Sequence, residues 1–509
     1  MNIVEQLPAL QVAIAFLSVP LVMLLRPKGF AWAAATVTNV FLFVNACALT
    51  LEVLANGTVV YNMGSWEPPY GIALHIDSLS VILLLIISGA SAFSLVGGQR
   101  SIDSQIAEHR QPMFYAAWLL AQAGLSGIVI SADAFNIFVF MEISSLASYV
   151  LISGGPNRQA LPAVFKYLVM GTIGATFYLI GVGLIYMMTG TLNLADMADR
   201  VSSVADQTPI LVAAGFVTIG LALKAAIFPL HAWLPNAYTH APHIVTVFLA
   251  ACATKVALYI LLRFDFLVFQ PNLVGHTIQF SYFLMPLAAF AIVIASVIAI
   301  REQNVKRMLA YSSVAQIGYI MLGASLVTQL GIAASVLHLF NHALAKGTIF
   351  LAIVCLALSL SGLQRSDLAG AARQMPVVMA AFVIGGLSLI GVPGTAGFIS
   401  KWYLISAAVN EGVLGILLIV VIVVGSLMAV AYVWRIVEIA FFNTNQSTDT
   451  NQSTNPERNS AVSSDAKVPL PLLLVTCAAA LLNLYFGIIT ELPTTLAEAA
   501  ASHLLGAAR

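Results

Sequence analysis

"LALKAAIFPLHAWLP", residues 221–235, sets Lys224 inside an apolar run and then interrupts the run at Pro229. A charge in hydrocarbon costs at least ~2.5 kcal/mol on insertion scales. A proline in a helix interior removes a backbone hydrogen bond. The two features belong together only if the segment lies in a bundle that uses the charge and keeps water or polar groups beside it.

Composition supplies the setting. The chain of 509 residues is 60% hydrophobic and 8% charged, against roughly 25% charged in soluble domains. Apolar runs near 20 residues, enough to cross the hydrocarbon core as helix, recur along its length. They define fourteen expected spans, at 9–25, 31–54, 75–97, 112–131, 133–154, 162–189, 209–228, 243–264, 281–300, 307–328, 331–361, 376–407, 413–441 and 469–490. The expected fold class is an all-α polytopic membrane protein. The first run continues into "RPKG" without a small-residue cleavage site and is expected to stay as span 1.

Cys47, Cys252, Cys355 and Cys477 stand singly in apolar segments, which suggests neither disulfides nor a metal knuckle. No basic tract points to nucleic acid, no redox-cofactor motif is visible, and net charge is zero. Nothing resembles a soluble catalytic domain. The expected surroundings are the lipid bilayer and, as cofactor, none.

Orientation follows from Lys and Arg. With the N-terminus outside, the inward connections hold fourteen of the 21 basic residues, among them Arg100, Arg158, Lys306, Arg307, Arg365 and Arg435. The opposite side holds three, Arg200, Arg263 and Arg509. Both termini are therefore expected outside, in a bacterial inner membrane. The polar connection 442–468, "NTNQSTDTNQSTNPERNSAVSSDAK" at its centre, is expected inside and disordered.

The other four basic residues, Lys224, Lys255, Lys346 and Lys401, lie within spans. Snorkelling to an interface is the plain alternative, weighed chiefly for Lys346. It suits the others poorly, since "GLALKAAIF", "ACATKVALY" and "GFISKWYL" leave them a turn or more from polar loops. The acidic partner well inside a span is Glu142, with Ser145 three residues on along the same helix face. Burial disfavours a charged amine and a nearby carboxylate favours it, so moving the carboxylate loads or unloads a proton. Glu142 with Lys224 would make such a switch, and Lys255 the next station.

Imidazoles titrate near neutrality and suit intermediate stations. "HLFNHALAK" places His338, His342 and Lys346 at i, i+4 and i+8 on one helix face. This stripe is read as a proton relay in preference to a metal pair, which would lack the Glu of "HExxH" and a third ligand.

Span 7 is interrupted at Pro229, and span 12 at "GVPGTAGF" by Gly391, Pro393, Gly394 and Gly397. Broken backbone in a membrane is tolerated where it is buried in protein or lines a cavity. Two such breaks at corresponding places point to an inverted-repeat transporter. Spans 4–8 (112–264) and 9–13 (281–441) form two groups of five. Residues 1–111 supply spans 1–3, and 469–509 span 14 with a tail.

The segments "FVFMEISSLASYVLI", "GLALKAAIFPLHAWLPNAYTHAP", "ATKVALYILLR", "REQNVKRMLAYSSVAQIGYIMLG", "LHLFNHALAKGTIFLA" and "GVPGTAGFISKWYL" resemble, in order, the signatures of the antiporter-like subunits shared by respiratory complex I and Mrp-type cation/proton antiporters. The resemblance covers roughly residues 70–440. It implies fourteen helices with two inverted five-helix bundles, other membrane subunits as partners, and proton-handling roles for Glu142, Lys224, Lys255 and Lys401. Lys401 is similar to the Mrp D type and to the L and N types of complex I, whereas the M type is expected to have glutamate there; "LFNHALAKGTIFLA" is similar to the Mrp D type, which implies exchange of sodium or another monovalent cation for protons. An M- or N-like proton-pumping subunit of a quinone-linked oxidoreductase, or a related membrane-bound redox complex, is the second expectation, and a structural scaffold a third. His243 in "HAPHIVTVF" stands where the relatives usually have a small residue; it would be an extra relay station or an interfacial histidine.

The charge asymmetry generates a topological prediction. In a variant lacking the native cysteines, Ser453→Cys is labelled by an impermeant thiol reagent only after the membrane is opened. Equal labelling of intact cells contradicts the orientation.

Overall fold

The computed structural model describes residues 3–24, 29–270, 280–443 and 468–506. Within them the chain is mostly helix. Two long helices, α1 (Ile3–Leu24) and α2 (Phe30–Asn56), lead into a hairpin of β1 (Val59–Asn62) and β2 (Ala73–Ile76), paired antiparallel with Val59 opposite Ile76. Then follow α3 (Ser78–Gln105), α4 (Gln111–Ile130), α5 (Ala134–Ser153), α6 (Ala160–Thr189), the short α7 (Leu194–Val201), α8 (Thr208–Ala225), α9 (Leu234–His240) and α10 (His243–Arg263). The remainder comprises α11 (Phe280–Arg301), α12 (Val305–Ser325), α13 (Gln329–Ser359), α14 (Ala371–Gln374), α15 (Pro376–Ile390), α16 (Ala396–Val409), α17 (Gly412–Phe442), α18 (Leu470–Ile488) and α19 (Glu491–Leu504).

Among the described residues, twelve helices are long and apolar enough to cross a membrane, or thirteen if the bent pair Arg365–Gln374 and Pro376–Ile390 counts as one span. Each expected span contains helix. A count of fourteen rests on also treating α12, more polar than the twelve, and the broken α15–α16 pair as spans. The expected inside connection 442–468, with Ser453, falls almost wholly outside the described residues. Span 3, drawn from residue 75, begins in β2, and its helix starts where Asp77 caps it by accepting from the Ser80 amide at 2.9 Å. The C-terminal tail contains a helix, α19.

Small residues let the helices approach. A Cβ on Gly220 of α8 would lie 2.6 Å from the Gly174 carbonyl oxygen of α6, and one on Gly318 of α12 would lie 2.8 Å from that of Ala288 of α11. Helix α10 is apolar nearly all round and buried along almost every residue, as expected of a core helix. It packs on α8 and on α13, and α13 packs in turn on α12, α15 and α16. Side chains from α8, α10, α13 and α16 can therefore form one line through the protein.

Both expected breaks are present and end alike. Helix α8 stops at Ala226, with φ of 55°, and the Ile227 amide donates back to the Ala222 carbonyl at 3.0 Å. Helix α15 stops at Gly391, with φ of 86°, and the Val392 amide donates back to Leu387 at 3.0 Å. This i→i−5 closure satisfies carbonyls that a helix end would leave open. Gly391 takes the left-handed turn without the steric cost a Cβ brings, while Ala226 bears that cost, ~1–2 kcal/mol.

Candidate functional site

The Lys224 ammonium, buried in the last turn of α8, donates to Glu142 Oε1 at 3.0 Å and to Ser145 Oγ at 2.8 Å. Helix α5 presents both acceptors one turn apart, as the i, i+3 spacing requires. The Glu142 side chain is 27% exposed and so lies at the edge of the protein rather than sealed within it. The first break leaves Lys224 free for this pairing: the Leu223 carbonyl is taken by the Trp233 indole at 2.9 Å. Trp233 is held by face-to-face stacking on Tyr167 at 3.9 Å.

A cavity of about 30 Å³ separates Lys224 from α10, walled by Ser144, Ser145, Ser148, Tyr167 and Ala253 among others. It has room for one or two water molecules. Lys255 lies on α10, 0% exposed, with no acidic partner among the described residues; its ammonium donates to the Ala250 carbonyl. It is within electrostatic reach of His338, His342 and Lys346 on α13.

The expected stripe on α13 is assembled as the spacing implies. Lys346, also fully buried, donates to the Leu309 carbonyl at 2.7 Å and Ser312 Oγ at 2.5 Å. The rings of His342 and His338 stack with centroids 6.2 Å apart. His342 is buried, and neither of its nitrogens has a hydrogen-bond partner among the described residues. Both nitrogens of His338 are engaged, Nδ1 with Ser400 Oγ and Nε2 with Gln316 Oε1, each at 2.8 Å. A metal would have to displace one of these contacts. Ser400 Oγ also reaches the Gly397 carbonyl at 3.1 Å, so the surroundings fit either a neutral ring accepting from Ser400 or a protonated ring donating to it.

Ser400 adjoins Lys401, which closes the line. At the second break the lysine itself caps the open carbonyls of α15, donating to Leu389 at 3.0 Å, Ile390 at 2.9 Å and Ser426 Oγ at 2.9 Å. A cation at a helix C-terminus is favoured by the helix dipole. The ammonium also sits 4.5 Å from the Tyr319 ring centroid.

Glu142, Lys224, Lys255, the α13 stripe of Lys346, His342 and His338, and Lys401 thus follow one another from α5 to α16, and both breaks, at Pro229 and at Gly391, Pro393 and Gly394, abut the line. His243 does not join it. It begins α10, three turns from Lys255, and its amide donates to Gln105 Oε1 at 2.9 Å. Sequence reasoning missed Gln316, Ser312, Ser426 and Tyr319, which partner the line from other helices. It also placed Lys306 in a connection, whereas the side chain is buried and donates to the Ala241 carbonyl at 2.8 Å. The signal lay in "SSVAQ" of span 10, polar at helical spacing inside an apolar run.

Fold and site together define a multi-pass membrane protein with a buried file of titratable groups. Residues 131–429 match the family model described as NADH:quinone oxidoreductase/Mrp antiporter, TM, and the chain belongs to that family. It is similar to the N subunit of the NADH-quinone oxidoreductase of Desulforudis audaxviator, 40% identical over 77% of this chain and 80% of the relative. It is also similar to the D-type subunit of the Na(+)/H(+) antiporter of Alkalihalophilus pseudofirmus, 31% identical over 71% and 72%. A chain in the structure of the membrane-bound sulfane sulfur reductase (MBS), an archaeal respiratory membrane complex, superposes with a TM-score of 0.87 at 30% identity, over 98% of both chains. The leaning toward the Mrp D type is therefore not favoured over the N type.

Lys401 holds two carbonyls at the end of α15, and mutation separates that capping from the presence of a titratable amine. Lys401→Gln keeps a donor for the α15 end and retains most thermal stability, while Lys401→Met uncaps it and costs ~1–3 kcal/mol. Equal stability of the two variants in detergent contradicts the capping role.

Proposed function

We propose that this chain is a proton-translocating subunit of a multisubunit membrane complex, and that the file from Glu142 to Lys401 is its proton path. The observation that carries the reading is the Lys224–Glu142 pair at 3.0 Å, a carboxylate at the protein edge holding a buried ammonium. When Glu142 turns away, Lys224 loses the charge that stabilises its protonated form and passes a proton across the small polar cavity toward Lys255. The imidazoles of His342 and His338 hand it on, and Lys401 holds it before release or transfer to an adjoining subunit.

In this reading residues 112–264 and 281–441 act as two inverted units, each with one break. The protein lies in the bacterial cytoplasmic membrane with both termini outside. The basic end, where Arg365 and Arg435 both donate to the Ile300 carbonyl and Lys306 is buried, faces inward. The driving reaction is assigned to partner subunits.

Two drivers have support. The N-type relative and the respiratory-complex chain favour a redox reaction, while the D-type relative and the "LFNHALAKGTIFLA" segment favour exchange of protons for sodium. Inverted vesicles bearing the assembled complex and a pH dye separate them. Acidification on adding an electron donor indicates the redox pump, and alkalinisation of acid-loaded vesicles on adding sodium indicates the antiporter. Under either driver Glu142→Gln is expected to cut proton movement by about 10²-fold or more, with assembly intact. Normal proton movement with glutamine at this position refutes the proposed path.

A further inference from the structure

The end of the molecule opposite the basic cluster holds a cavity of about 410 Å³, roofed by the hairpin and α19 and walled by His75, Ser131, Asn193, Tyr259, Arg263 and His503. Its floor is a connected polar network. Tyr259 Oη donates to the Val129 carbonyl at 2.6 Å, accepts from Arg263 Nε at 2.9 Å and meets Ser80 Oγ at 3.3 Å. Arg263 Nη2 donates to Asp77 Oδ1 at 2.7 Å and to Ser80 Oγ at 3.0 Å. His503 Nδ1 lies 3.6 Å from Asp77 Oδ2. Burial alone would push the Asp77 carboxyl up, but the Arg263 guanidinium outweighs it and holds the group well below the usual carboxylate range. Burial pulls His75 down to about 4, so it is neutral at physiological pH.

A buried ion pair adds little net stability over apolar packing, so this one calls for another reason to exist. Two features supply it. The pair is left beside a volume large enough for many waters, instead of being sealed. Tyr259 also stands one helical turn from Lys255, on the same helix, and lines that volume. The ionisable groups lining the cavity are His75, Tyr259, Arg263 and His503, and Asp77 neutralises the guanidinium that would otherwise repel a proton.

We propose that this cavity is a water-filled port through which Lys255 exchanges protons with the outer side, Tyr259 being the hydroxyl step between them. The inference rests on the proton-translocation reading and gives the first half an outer access separate from Lys401. In the outward step, Lys255 turns its chain away from Ala250 and gives one proton to the Tyr259 oxygen. Tyr259 gives up its hydrogen bond to the Val129 carbonyl and releases its own hydroxyl proton to a cavity water, so the tyrosine ends neutral and Lys255 ends as the amine. The Asp77–Arg263 pair fixes the hydroxyl through Nε and Ser80.

Ser131→Cys in a variant lacking the four native cysteines tests the port in the assembled complex. An impermeant thiol reagent added outside intact cells is expected to label it and to lower proton movement several-fold. Labelling without loss of proton movement, labelling only in inverted vesicles, or no labelling overturns the proposal. Tyr259→Phe, which keeps the ring, is expected to slow proton movement with assembly unchanged; a wild-type rate overturns it too. Glu142→Gln in the same membranes tells the two readings apart. If that variant is active, the proton path itself fails. If it is silent while blocked Ser131→Cys and Tyr259→Phe run at full rate, the port alone fails.

Discussion

An ammonium inside an apolar bundle has to be given either a counter-charge or a set of carbonyl and hydroxyl oxygens, and the four buried lysines divide along that line. Lys224 has Glu142. Lys255, Lys346 and Lys401 bind carbonyls, with hydroxyls added for the last two. Oxygen dipoles favour the charged form of an amine, but less than the full negative charge of a carboxylate does. A file with one ion pair at its edge and dipole-solvated amines behind it is therefore biased by a single mobile charge.

The two helix breaks put that bias in place by different means. Both close with the same backbone turn, but the freed carbonyls meet different donors. At the first, the Trp233 indole takes the Leu223 carbonyl, which leaves the neighbouring Lys224 for Glu142. At the second, Lys401 takes the freed carbonyls itself and is tied to the end of α15. One lysine can lose its partner by a side-chain movement, while the other is anchored to backbone. This asymmetry suits entry at one end and holding at the other.

Much of this was legible in the sequence because hydrocarbon penalises charge: any Lys or Glu inside an apolar run draws attention, and Pro229 and the Gly391–Pro393–Gly394 cluster mark where helix must stop. The i, i+4, i+8 spacing of His338, His342 and Lys346 also survives folding unchanged. Other parts were hidden for physical reasons. The partners Gln316, Ser312 and Ser426 come from helices distant in sequence, and polar uncharged residues are cheap enough in a bundle to occur anywhere. The hairpin strands are only four residues each, too short for an alternating pattern to register. Helix α19 is amphipathic and lies beyond the last apolar run, so a search for spans passes over it. The Asp77–Arg263 pair joins residues near the ends of two helices far apart in the chain, each ordinary by itself.

The continuity of the file depends most on His342, which stands between Lys255 and His338 with both ring nitrogens unbonded among the described residues. Because it makes no such hydrogen bond that folding would lose, replacing it isolates transport from structure. Proton movement per assembled complex in vesicles carrying His342→Leu is the most direct measurement. The account predicts loss of proton movement with assembly and thermal stability close to wild type, and an unchanged rate per complex would contradict it.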